Sequence, residues 1–109
     1  MTVNVLGRDY EVIEHARGED PLLKENNLDG YCDESIARVV VESMQSSDVD
    51  SLKDLENHKK RIKRHELIHA FLSESGLKGE CYWASEEMVD WLSYQFPKMV
   101  KAFGEAGCL

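Results

Sequence analysis

Residues 65–69 of this 109-residue chain read His65-Glu66-Leu67-Ile68-His69, an HExxH pattern. On a helix, four residues advance about 400° and 6 Å, so both imidazoles leave one face and can share one ion. Glu66 lies beside them, near enough to hold a water activated by that ion and to take its proton. The pattern points to metal-assisted hydrolysis with Glu66 as general base. Two ordinary histidines flanking a helical glutamate are the plain alternative.

A catalytic zinc takes three protein ligands and keeps one position open. The stretch Ala70-Phe71-Leu72-Ser73-Glu74-Ser75 holds neither the glycine nor the third histidine of the extended metzincin pattern. Downstream, Glu86 and Asp90 form an ExxxD pair on one helical face. Glu86 can complete the site, while Asp90 can accept the free N–H of a ligating imidazole and fix its tautomer. A solvated acidic stripe is the competing reading, since Glu87 is adjacent.

HExxH followed by ExxxD resembles the gluzincin metallopeptidases. The block RHELIHAFLSESGL…WASEEMVDWLSYQFPKMVKAF also resembles small prophage proteins of low-GC bacteria, akin to the ImmA/IrrE-like and minimal gluzincin groups. The likeness spans about residues 28–103. It implies one zinc per chain held by His65, His69 and Glu86, with Glu66 as general base and Asp90 behind the ligands. A peptide or protein substrate is implied too, and the strand at 35–42 as its pairing edge. Sixteen residues separate His69 from Glu86, fewer than in large gluzincins, so the connection must be tight. The donor that steadies the oxyanion is not assigned by the motifs; Tyr31, Tyr82 and Tyr94 are candidates.

The elements that must position these residues divide the chain in two. Thr2–Leu6 and Tyr10–Glu14 read as strands joined by turn chemistry at Gly7-Arg8-Asp9. Gly18–Pro21 and Asn26–Gly30 bracket a short irregular or helical stretch. Ser35–Glu42, rich in β-branched residues, is the strongest strand. A helix is expected over about 51–75, capped by Asp50 or Ser51 and stopped by Gly76. A second is expected over about 84–103, where Met88, Leu92, Phe96, Met99 and Phe103 recur at helical spacing and Pro97 should kink or restart it. The expected fold is α+β, a small antiparallel or mixed sheet of about three strands packed on two helices, the first carrying HExxH. Residues 1–109 form one domain in this reading, zincin-like by the resemblance.

Thirteen basic against 21 acidic side chains give a net charge of −8 and a pI near 4.9. That balance argues against nonspecific nucleic-acid or anionic-membrane binding, which needs Lys and Arg to neutralise phosphates. No apolar run approaches the ~20 residues of a membrane span, and the N-terminus lacks a secretory profile. A cytoplasmic location follows as the expectation, and a homo-oligomer stays open. Cys32, Cys81 and Cys108 fit neither a disulfide framework nor a cysteine zinc site, though Cys32 and Cys81 could approach a metal.

Two rivals stand beside the peptidase reading. One is a zinc-binding regulatory or structural protein with weak or no catalysis. The other is a nucleic-acid-binding accessory protein using the basic run Lys59-Lys60-Arg61-Ile62-Lys63-Arg64, whose plain reading is a solvated face. His58 shares the face of His65, but seven residues place it about 10 Å away, too far to share an ion. His15 is expected exposed at a strand end. Trp83, Trp91, Phe96 and Phe103 are expected to pack in the core or at an interface.

Overall fold

The computed structural model describes residues 1–44, 54–77 and 81–109. The expected caps Asp50 and Ser51 lie outside them. The described elements are β1 (Thr2–Val5), β2 (Arg8–His15), α1 (Pro21–Glu25), β3 (Gly30–Asp33), β4 (Arg38–Glu42), α2 (Leu55–Glu74) and α3 (Glu86–Glu105). The fold is α+β, with a four-stranded mixed sheet in the order β1-β2-β4-β3. β1–β2 and β3–β4 pair antiparallel, and β2–β4 pair parallel. A parallel pair needs a crossover, and residues 16–37 supply it, carrying α1 and β3 on the way.

Three expectations about the sheet need correction. The first hairpin turns at Leu6-Gly7, with φ of 51° and 98°, so β2 begins at Arg8 rather than Tyr10. Two residues at positive φ match the right-handed twist of the paired strands. The strand expected from Ser35 starts at Arg38. The Asp33 carboxylate accepts from the Ser35 amide, opening a 3-10 turn over Glu34–Ile36 that ends on left-handed Ala37. The sequence reading also lacks β3, a four-residue strand whose extended form comes from pairing with β4 rather than from its own composition.

β4 is the spine of the core: Val39, Val40 and Val41 are all fully buried. Each such side chain contributes roughly 1.5–3 kcal/mol by leaving water. Val39 and Val41 join Val5, Tyr10, Val12, Ile62 and Ala70 in the core between sheet and α2. Val40 pairs with Ile13 and Tyr31 and faces the other way, the side where Tyr31 donates to Asp20. Asp20 caps α1 through the amides of Leu22 and Leu23, and its burial would raise its pKa. Hydrogen bonds from His15, Tyr31 and those amides outweigh that and hold the carboxyl below its usual range. His15 is therefore tied at 2.8 Å to a buried carboxylate rather than simply exposed.

α2 starts on an Asp54 cap and ends as expected at Gly76, which takes φ +73°. The Leu77 amide bonds to the Leu72 carbonyl and the Gly76 amide to that of Ser73, the Schellman arrangement. The Tyr10 hydroxyl donates to Glu74 and fastens this end to β2. α3 starts on a Ser85 cap and runs as one element through Pro97, with no restart there. Only Val89 and Ser93 of α3 are buried. Trp83, Trp91, Phe96 and Phe103 are all exposed rather than in the core. No helix among the described residues is long and apolar enough to cross a membrane.

β3 can lie against α2 because residue 30 has no side chain. A Cβ built there would sit 2.8 Å from Ile62 Cγ2, 3.0 Å from the Val40 carbonyl oxygen and 3.3 Å from Glu66 Cγ. Gly30→Ala should therefore overpack the strand–helix contact and cost about 1–3 kcal/mol. Thermal unfolding of the variant checks this, with a midpoint several degrees below wild type expected and an unchanged midpoint contradicting the contact.

Candidate metal centre

α2 turns Ile62, Glu66 and Ala70 into the core, four residues apart along one stripe. Glu66 is thus a carboxylate on a buried face, and its neighbours His65 and His69 flank that stripe, partly open to a cleft. The two rings stand edge to face with centroids 5.0 Å apart. His65, Glu66 and His69 offer ligand atoms that all lie within 4.8 Å of one another. Helical spacing brings them together, as HExxH requires.

α3 delivers the remaining sequence candidates. Glu86, in its first turn, spans the histidine pair: Oε1 is 2.8 Å from His69 Nε2 and Oε2 is 3.2 Å from His65 Nε2. Glu66 stands farther off, at 3.8 Å from His65 Nε2. Asp90, one turn on, places Oδ1 3.3 Å from His65 Nδ1. That nitrogen is buried with no hydrogen-bond partner, so the distance fits a bond and the alignment falls short of one. The same Asp90 oxygen takes the Arg61 guanidinium at 2.9 Å, and Arg61 lies over the Tyr94 ring at 4.3 Å. Glu86 and Asp90 therefore face the histidines from one side of α3. Glu87 is exposed and in no described ion pair.

The electrostatics sort the groups by role. Burial, with help from the Glu86 carboxylate, pushes Glu66 up to about 7. A carboxyl poised there exchanges a proton readily near neutral pH. Burial pulls His69 below its ordinary range, against Glu86 and with the neighbouring His65 ring. His69 is thereby kept neutral, the form whose lone pair binds metal. Two imidazole nitrogens facing one carboxylate form a donor set of the kind zinc takes, so the residues fit that ion.

The cleft over these groups encloses about 560 Å³, walled by β3 on one side and α2 and α3 on the other. The strand expected to meet substrate, at 35–42, has no open edge, because β4 lies between β2 and β3. β3 is the outer strand beside the cleft. Of the three tyrosines only Tyr31 lines the cleft, and its hydroxyl donates to Asp20; Tyr94 lies beneath Arg61, and Tyr82 is 85% exposed. His58 pairs with Asp29 at 3.1 Å, apart from the histidine pair. Cys32 lines the cleft but is not in the His65–Glu66–His69 group.

Four members of the basic run are engaged within the chain. Lys59 and Lys63 reach Glu14, Arg61 holds Asp90, and the Arg64 Nε donates to the Ser93 carbonyl at 2.7 Å. A phosphate-binding face needs those charges turned outward. Lys60 is exposed and in no described ion pair. Sequence reasoning missed β3, Gly30 and these arginine contacts; the i, i+3 spacing of Arg61 and Arg64 toward a neighbouring helix was the available signal.

The raised Glu66 pKa carries a stability consequence in metal-free protein. A carboxyl that prefers its neutral form when folded stabilises the fold fully below its unfolded pKa and loses that contribution as pH rises through about 7. Chelator-treated wild type should lose stability between about pH 5 and pH 8, and Glu66→Gln should lose less over that window. Denaturant titrations at both pH values decide it. Equal losses in the two proteins would contradict the burial.

Comparison with protein-family models, curated proteins and solved structures finds no match to this chain.

Proposed function

We propose that this protein is a zinc-dependent peptidase of minimal zincin-like build, acting in the cytoplasm on peptide or protein substrates. The observation that carries the reading is the Glu86 carboxylate spanning both His Nε2 atoms, with buried Glu66 beside them. His65, His69 and Glu86 would hold the ion. Bound zinc would supply Lewis acidity, polarising a carbonyl and lowering the pKa of water to about 7. Glu66 would take the proton of the attacking water and pass it to the leaving amine. Asp90, 3.3 Å from His65 Nδ1, would accept that N–H once the ring aligns, fixing the tautomer that leaves Nε2 for the ion. The outer edge of β3 borders the cleft and gives an extended substrate a strand to pair with.

Zinc titration tests the ligand set. Wild type should take one zinc per chain. His65→Ala or His69→Ala should lose it, together with the thermal stabilisation that binding gives. Glu86→Ala should weaken binding severely and Asp90→Ala about 10–100-fold. Glu87→Ala should stay within about 0.5 kcal/mol of wild type. Loss of metal in Glu87→Ala with retention in Glu86→Ala would reverse the assignment.

Hydrolysis is tested separately, with the zinc-loaded chain incubated with a mixture of unstructured peptides and cleavage followed by mass spectrometry. Glu66→Gln should keep zinc and fold but lose about 10²–10⁴ in rate, the usual cost of a missing general base. A zinc-loaded wild type that cleaves nothing would instead favour a metal-binding protein without catalysis.

A further inference from the structure

α3 presents Glu86 and Asp90 to the histidine pair; among its apolar side chains Val89 is fully buried and Met88, Leu92 and Met99 are half-buried. Its buried side chains are Val89 and Ser93, and one of those is polar. Two polar contacts from α2 add to that packing. Arg61, its side chain 14% exposed, reaches Asp90 at 2.9 Å and lies over Tyr94 one turn later. Arg64, three residues along the same helix, donates from Nε to the Ser93 carbonyl at 2.7 Å. That carbonyl is available for a reason. Proline has no N–H, so Pro97 cannot supply the helical hydrogen bond that the carbonyl four residues back would otherwise accept. Ser93 lies at that position, and the guanidinium replaces the missing donor.

We propose that Arg61 and Arg64 are positioning residues of the metal centre, forming a two-arginine latch that seats the first half of α3 so that Glu86 and Asp90 reach His65 and His69. This rests on the zinc reading above for its metal readout only. The latch also gives the basic run its purpose. A guanidinium offers several donors in one rigid plane, so it can grip a carboxylate or carbonyl and stack on a ring together. The Asp90 oxygen gripped by Arg61 is the one facing His65 Nδ1, so the contact that seats the helix also aims the carboxylate. Pro97 contributes by leaving the Ser93 carbonyl without its helical donor, so that Arg64 can take it.

Arg61→Met and Arg64→Met remove the guanidinium and keep an apolar stem. Zinc affinity, measured by competition with a chromophoric chelator, should fall about 10-fold in each, the scale of groups that orient metal ligands. In a Glu86→Ala/Asp90→Ala background, where α3 offers no ligand or aim, the same substitutions should change the residual affinity less than about 2-fold. Hydrogen exchange of the metal-free chain gives a second readout: amides in the first half of α3 should exchange faster in both variants, with those of β4 unchanged. Equal loss of affinity in the two backgrounds would mean a general structural role and overturn the latch, as would unchanged exchange in α3. If one variant fails to fold, the other arginine carries the same cycle. A wild type that binds no zinc defeats the zinc reading, and the exchange data still decide the latch.

Discussion

The distance between β3 and α2 governs the cleft, and Gly30 sets that distance. With hydrogen in place of a side chain, the strand lies against Ile62 and Glu66 closely enough that a Cβ would collide. The approach closes water off from Glu66, and that desolvation is the main cause of its raised pKa. It also makes the outer edge of the sheet one wall of the same cleft that holds His65 and His69. A buried carboxylate on a helix face is costly unless it stays protonated or meets a cation. Glu66 carries that cost on the stripe between Ile62 and Ala70, beside the candidate metal centre.

The second helix is held differently. α2 is fixed to the sheet by the valine-rich core and by Tyr10 on Glu74. Charged and polar groups at or near the candidate metal centre tie α3 to α2. The two halves of that centre therefore rest on unlike supports. The histidines share the stability of the core, while Glu86 and Asp90 depend on contacts sensitive to screening and competition.

What was legible in the sequence follows from which interactions are local. HExxH on α2 and ExxxD on α3 are helical spacings, so the mutual placement of His65, Glu66 and His69, and of Glu86 and Asp90, could be read directly. The Gly76 stop is likewise a backbone rule written in one residue. The α+β class came from the contrast between β-branched and helical stretches. The fourth strand did not, because Gly30-Tyr31-Cys32-Asp33 is extended only by virtue of β4 beside it. The start of β4 was misplaced because Asp33 captures the Ser35 amide and Ala37 takes a left-handed conformation, neither visible in β propensity. Arg61 and Arg64 looked like solvated charge, since their partners lie 29 residues away. Pro97 read as a kink or restart, whereas the helix runs through it and the carbonyl it frees is used by a neighbouring helix.

The central claim is that His65 and His69 bind one zinc through their imidazoles with a carboxylate as third protein ligand. X-ray absorption at the zinc edge of the loaded wild-type chain tests it most directly. The account predicts two imidazole scatterers at about 2.0–2.1 Å, oxygen in the remaining positions at about 2.0–2.2 Å, and no sulfur. A sulfur shell at about 2.3 Å, or a zinc environment without imidazole, would contradict it.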